Sequence, residues 1–216
     1  MDESSLEEVY SKIKELGQVI GTSNRADSLV NFIQTRLEQV KQKYANMPRV
    51  KVYYEINYFY KCVPGNDSYI TELIKMVGGD PIFSKRPGIA PAVTWEEVVQ
   101  VNPDVIMLPL WDHAGGPYFE GPERGNGTTT PYEIASRPNA DKVNAIKNGR
   151  VWYIDSAKTK QAGPKIPVAA DLIGKTIHAR GNKALLKMKV VPEEMKDVFS
   201  SVMPWNTPYE LCGLTN

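Results

Sequence analysis

From residue 50 onward, short runs of β-branched and aromatic residues alternate with stretches of helical period, and this alternation leaves few folds open. Residues 50–56, Val-Lys-Val-Tyr-Tyr-Glu-Ile, read as a strand. A loop over 57–67 leads to a helix over 68–77 that Gly78 and Gly79 stop, and Pro81, Ile82 and Phe83 form a short extended piece. Thr94 caps a helix through Glu96, Val98 and Val99. Pro103 and Asp104 then lead into 105–108, an apolar run suited to a strand buried on both faces. Residues 112–131 are crowded with glycine, proline, asparagine and threonine without a period, the mark of a long loop. Pattern returns with a helix over 141–147, a turn at Asn148 and Gly149, a strand over 151–154 and a helix over 167–179; one more helix is expected over 192–201. Strands separated by helices predict an α/β, Rossmann-like lobe whose parallel or mixed sheet is flanked by helices on both sides. Ligands of such sheets sit beyond the carboxyl ends of the strands, which directs attention to the loops after Ile56, Leu108 and Ile154.

Two helices precede this body. Ser5 and Glu8 stand at capping-box spacing, and Leu6, Val9, Ile13, Leu16 and Ile20 share one helical face, with Gly17 and Gly21 expected to break the helix near Leu16. Asn24 is the expected N-cap of a second helix carrying Ala26, Leu29, Val30, Ile33, Leu37, Val40 and Tyr44, ended by Met47-Pro48-Arg49. Roughly 20 residues at about 1.5 Å each reach about 30 Å, so this helix either crosses a domain or ties two together.

Several kinds of function are excluded early. The chain has 216 residues, 42% of them hydrophobic, which is enough for one good core, and its net charge of +1 provides no general field for nucleic acid. The nearly uninterrupted apolar stretch 105–111 falls far short of the roughly 20 residues that cross a bilayer. Met1-Asp2-Glu3-Ser4-Ser5 is acidic and polar, unlike a secretory signal; either the chain is cytoplasmic or upstream sequence has been removed. Cys62 and Cys212 lack zinc-site spacing, and a single disulfide or two buried thiols are both compatible with them. No Gly-x-Gly-x-x-Gly follows a strand. Gly174-Lys175-Thr176 imitates the end of a phosphate loop, but Ala169 stands where its first glycine is needed and the triplet falls inside a helical pattern. The two histidines, His113 and His178, belong to no metal motif, no Gly-x-Ser-x-Gly occurs, and Glu96 and Glu97 diverge on a helix surface. No catalytic residue, metal site or cofactor is therefore expected.

Three stretches, taken in order, resemble the periplasmic-binding-protein family that delivers ferric siderophores, haem and vitamin B12 to ABC importers. The first is Leu16-Gly17 followed by Ala26, Leu29 and the long helix to Tyr44, similar to the family's connecting helix. The second comprises Ser68-Tyr69-Ile70-Thr71-Glu72-Leu73, Val93-Thr94-Trp95-Glu96-Glu97-Val98 and Asn102-Pro103-Asp104-Val105-Ile106. The third is Val143-Asn144-Ala145-Ile146-Lys147-Asn148-Gly149-Arg150-Val151-Trp152-Tyr153, with Gly163-Pro164-Lys165 after it. The match covers roughly residues 6–180. The resemblance implies that 1–23 end a missing N-terminal lobe, 24–46 form the connecting helix and 47–216 form the C-terminal ligand-binding lobe. It implies a small metal complex as ligand, ABC permease subunits as partners, no nucleic acid, and an extracytoplasmic parent held at a membrane only through a missing anchor or the permease.

Candidate binding residues follow from position. Tyr58 and Tyr60 come after the first strand, where phenol rings can stack on a large ligand. Trp111, Asp112 and His113 come after the buried 105–108 strand at the same end of the sheet, offering an apolar face, a carboxylate and an imidazole. Lys165 follows the 151–154 strand and would suit an anionic complex as a point charge, where many family members have arginine. Glu96, in Val-Thr-x-Glu, resembles the glutamate with which the family docks onto its permease. The competing reading is a Rossmann-like enzyme acting on a small metabolite or metal chelate, with His113 or Asp112 as general base.

Overall fold

A computed structural model describes residues 5–56, 61–110 and 130–187. Helices α1 (Leu6–Val19) and α2 (Ser23–Tyr44) lead into β1 (Val50–Tyr54), α3 (Tyr69–Met76), β2 (Gly79–Pro81), α4 (Trp95–Val101) and β3 (Val105–Leu110). Then come α5 (Pro131–Ala135), a 3-10 turn (Ala140–Lys142), α6 (Asn144–Lys147), β4 (Val151–Asp155), α7 (Ser156–Thr159), α8 (Ile166–His178) and a final 3-10 turn (Lys183–Lys187). The four strands form one sheet in the order β2-β1-β3-β4, and every pairing is parallel. All four carboxyl ends therefore open on one side, as the alternation of elements predicts.

The strand pleat sorts the core into two layers, because successive side chains point to opposite faces. Val50, Val52 and Tyr54 of β1, Val105 and Met107 of β3, and Trp152 and Ile154 of β4 pack with α1, α2, α3 and α8. Tyr53, Ile106, Leu108 and Val151 pack on the other face with α4, α5 and α6. Helix α2 is thus one wall of this core: Ala26, Val30, Ile33, Leu37 and Tyr44 are all buried.

Local chemistry sets most boundaries. The Ser5 hydroxyl accepts from the Glu8 amide at 3.2 Å to start α1, and Thr94 and Glu97 form a reciprocal capping box on α4. Gly17 does not stop α1. A Cβ there would lie 2.4 Å from the Ala26 Cβ, so this glycine lets α1 and α2 cross closely. The chain turns instead at Gly21, with φ of +70°, and α2 starts after Thr22, two residues before the expected Asn24 cap. The helix expected over 141–147 is split, because Val143 takes an extended conformation (φ −80°, ψ 126°) with its side chain fully in the core. Gly174 lies inside α8, where a Cβ would come within 2.4 Å of the Tyr44 ring; its smallness serves helix packing rather than a phosphate.

Candidate functional site at the carboxyl ends of the strands

Two polar networks gather where the parallel strands end. The first grows from β1. Glu55 follows Tyr54 and is fully buried, yet its carboxylate accepts both guanidinium nitrogens of Arg137, at 2.6 and 3.0 Å, and the Tyr53 hydroxyl at 2.7 Å. Arg137 also donates to Glu133 on α5 at 3.0 and 2.8 Å, and its guanidinium carbon lies 5.0 Å from the centre of the Trp95 ring. A carboxylate removed from water needs such partners. Burial works against the Arg137 charge, but hydrogen bonds and attraction from Glu55 and Glu133 overcome it and push its pKa up. Burial, reinforced by the Glu55 charge, pushes the Tyr53 phenol well up. The Lys61 ammonium stands 3.9 Å from Glu55 and is lowered by burial, with Glu55 opposing.

The second network joins β4 to β1. Asp155 accepts the Lys158 amide at 3.0 Å and pairs with the Lys158 ammonium at 3.0 Å. Thr159 donates to the Asp155 carbonyl at 2.8 Å, shares a 3.2 Å hydrogen bond with the Tyr54 hydroxyl, and accepts the Tyr69 hydroxyl on its own carbonyl at 3.1 Å. Lys160 then reaches across to donate to the Ile56 carbonyl at 2.7 Å. Burial pulls its pKa down to about 8, and the nearby Cys62 thiol, itself raised by burial, opposes that fall. The Ile56 amide donates to the Cys62 carbonyl at 2.8 Å, which ties these two residues together.

These networks bind and brace. Each of the three carboxylates here has a cation within 3.0 Å, and no group of three His, Cys, Asp or Glu suited to a metal occurs among the described residues. Of the residues expected from sequence, Tyr58, Tyr60, Trp111, Asp112 and His113 lie outside the described residues, as does Cys212. Lys165 is exposed at the N-terminus of α8, where its carbonyl accepts the Val168 and Ala169 amides at 2.9 and 3.1 Å. Glu96 is exposed in the first turn of α4 on the opposite layer. Its neighbour Glu97 is engaged in the capping box and pairs with Arg86, which distinguishes two glutamates that look equivalent in sequence. Sequence reasoning missed Glu55, Arg137 and Lys160. Glu55 left a signal: it stands two residues after Tyr53 on the same buried face of a strand.

A family model described as "Periplasmic binding protein" matches residues 1–157. The chain belongs to the periplasmic binding protein family. Among its relatives, the vitamin B12-binding protein of Vibrio vulnificus is 22% identical over 174 residues, covering 78% of this chain and 56% of that protein. The ABC transporter substrate-binding lipoprotein YvrC of Bacillus subtilis is 22% identical over 184 residues, covering 82% of this chain and 52% of its own. A periplasmic solute-binding protein from Staphylococcus epidermidis shares the fold, with a TM-score of 0.67 at 20% identity over 82% of this chain and 64% of that one. The chain thus spans about half the length of the two sequence relatives. Periplasmic binding proteins of this kind are substrate-binding components rather than enzymes. Among the described residues, no helix is long and apolar enough to cross a membrane.

Proposed function

We propose that this chain is the carboxyl-terminal lobe and connecting helix of an ABC-importer receptor for a metal complex, either an iron siderophore, haem or cobalamin. The lobe captures its ligand at the carboxyl ends of the strands and presents it to a permease, with no bond made or broken. One observation carries the reading: in a family of binding proteins, this lobe gathers its buried charges at that end of the sheet and secures them with partners. Such bracing holds the base of a binding surface still, which limits the ordering cost when a ligand lands. The name of one relative, a vitamin B12-binding protein, supports the ligand class, and that of another, an ABC transporter substrate-binding lipoprotein, supports the receptor role. They also support an extracytoplasmic setting.

Lys165 adds a cation for an anionic ligand group, and exposed Glu96 supplies a docking charge for the permease. The domain reading stands with this proposal: residues 24–46 form the connecting helix and 47–216 the lobe. Titrating the chain with cyanocobalamin, haem and a ferric hydroxamate, and following tryptophan fluorescence, is expected to give saturable quenching with at least one of them. Silence toward all three contradicts the reading. The Glu96 role is checked separately: Glu96→Lys is expected to leave that titration unchanged while reducing uptake in cells carrying the importer.

A further inference from the structure

Two separate links join the carboxyl end of β1 to the start of α4. The first is backbone. The Val93 amide donates to the Lys61 carbonyl at 3.2 Å and the Val63 amide to the Pro91 carbonyl at 3.0 Å, with Cys62 and Ala92 bridged between them. Val93 immediately precedes Thr94, the cap of α4. The second link is made of side chains. Glu55, fully buried just past β1, accepts both guanidinium nitrogens of Arg137, and the other side of this contact is the Trp95 ring, whose centre lies 5.0 Å from the guanidinium carbon. Trp95 is the first residue of α4, and its indole nitrogen donates to the Pro138 carbonyl at 2.8 Å. Neighbouring residues 137 and 138 therefore hold this one buried side chain by its face and by its edge.

The two links restrict different freedoms. Backbone hydrogen bonds at 61–63 fix where the chain enters α4, but they do not fix how the helix is turned about that entry. The side-chain link does, because a planar guanidinium locked by two parallel hydrogen bonds presents one fixed surface to the ring. Beside Trp95 stand two glutamates in unlike states. Glu97 is engaged by the Thr94 amide and by Arg86. Glu96 is exposed and makes no ion pair or side-chain hydrogen bond among the described residues. An exposed carboxylate contributes little to the tightness of a contact, so its use in recognition depends on where it is held. The clamp on Trp95 holds it in a set place relative to the end of β1.

We propose that Arg137 and Trp95 are positioning residues for permease docking: the Glu55–Arg137–Trp95 chain registers the exposed Glu96 carboxylate against the carboxyl end of the sheet, so that docking charge and ligand surface meet the permease as one rigid unit. The inference rests on the receptor reading above and adds to it the residues that fix the docking charge. Leucine in place of Trp95 would keep apolar bulk against the core while offering the guanidinium no ring face and Pro138 no donor. Lysine in place of Arg137 would keep the charge beside Glu55 while losing the planar fork.

The test pairs motion with epistasis. In the isotope-labelled 216-residue chain without ligand, amide relaxation should show Glu96 and Glu97 as rigid as the strands, and Trp95→Leu and Arg137→Lys should each loosen both amides, whereas Asp171→Asn on the far side should not. In cells carrying the importer, Trp95→Leu should cut uptake of whichever of cyanocobalamin, haem or a ferric hydroxamate quenches the chain by about fivefold or more. The quenching midpoint should stay within about twofold, and combining Trp95→Leu with Glu96→Ala should lower uptake no further than Glu96→Ala does alone. A merely structural role would lower uptake again in the Glu96→Ala background. Such independent losses, or Glu96 and Glu97 amides indifferent to Trp95→Leu and Arg137→Lys, would overturn the proposal. Silence of the unsubstituted chain toward all three ligands, with both amides loosened as expected, defeats only the reading beneath it.

Discussion

Two charge networks tie helices to this core, and they sit in opposite surroundings. At the carboxyl end of the sheet, Glu55 and Arg137 are 0% and 7% exposed, joined by two parallel hydrogen bonds. On the outer side, Asp171 of α8 holds Lys43 of α2 at 2.7 Å and Lys175 at 3.1 Å, and Lys43 is 52% exposed. Water reaches Lys43 freely and is shut away from the Glu55–Arg137 pair. The difference teaches that the buried network fixes geometry at the carboxyl ends of the strands, whereas the surface one only reinforces a helix contact already made by Tyr44 against Gly174.

Removing one buried partner should have the largest effect. Arg137→Met is expected to lower the unfolding free energy by about 3–5 kcal/mol in urea denaturation, because it strands the Glu55 carboxylate. Adding Glu55→Gln to it should restore part of that loss. A single-variant effect below about 1 kcal/mol would erase the contrast between the networks.

Next comes the helix contact. Gly174→Ala in an open helix would gain stability by propensity, but here the new Cβ meets the Tyr44 ring at 2.4 Å. A loss of about 1–3 kcal/mol is expected from the overpacking, read as a lower denaturation midpoint.

Lys160 sharpens the comparison through pH. Burial lowers its pKa from the ordinary 10.5 to about 8 in the folded chain, so the unfolded chain binds the extra proton between those values. Its penalty is full below about pH 8 and fades as pH rises toward 10.5. Lys160→Met is therefore expected to raise the denaturation midpoint at pH 7 and to flatten the rise between pH 8 and 10.

The surface network should respond least. Burial alone would raise the Asp171 carboxyl, but hydrogen bonds from Lys43, Lys175 and Tyr44 overcome it and hold it below its ordinary value. Its contribution is thus present above about pH 4 and lost as pH falls through the lowered value. Asp171→Asn is expected to cost at most about 1 kcal/mol at pH 7, and less at high salt.

Much of the fold was legible because its signals are local. The apolar run from Val105 and the β-branched run from Val50 became the two central strands, and Thr94 announced α4. Boundaries failed where one residue type serves two purposes. Gly17 reads as a helix stop and acts as a crossing point, and Val143 leaves its helical pattern to fill the core between α5 and α6. The site was less legible for a related reason. Glu55 is marked by its strand position, but its partner Arg137 lies 82 residues away, and nothing local in the sequence pairs them. Lys160 likewise meets Ile56 across 104 residues. Tyr58, Tyr60, Trp111, Asp112 and His113 remain expectations from position alone.

The most direct test of ligand capture at this end of the sheet is residue-resolved. Amide spectra of the isotope-labelled chain, titrated with cyanocobalamin, haem and a ferric hydroxamate, should shift or broaden at Glu55, Ile56, Lys61, Cys62 and Asp155 through Lys160 for at least one of them. Responses confined to the amino ends of the strands, at Arg49, Gly79, Asp104 and Gly149, or no response to any of the three, would contradict it.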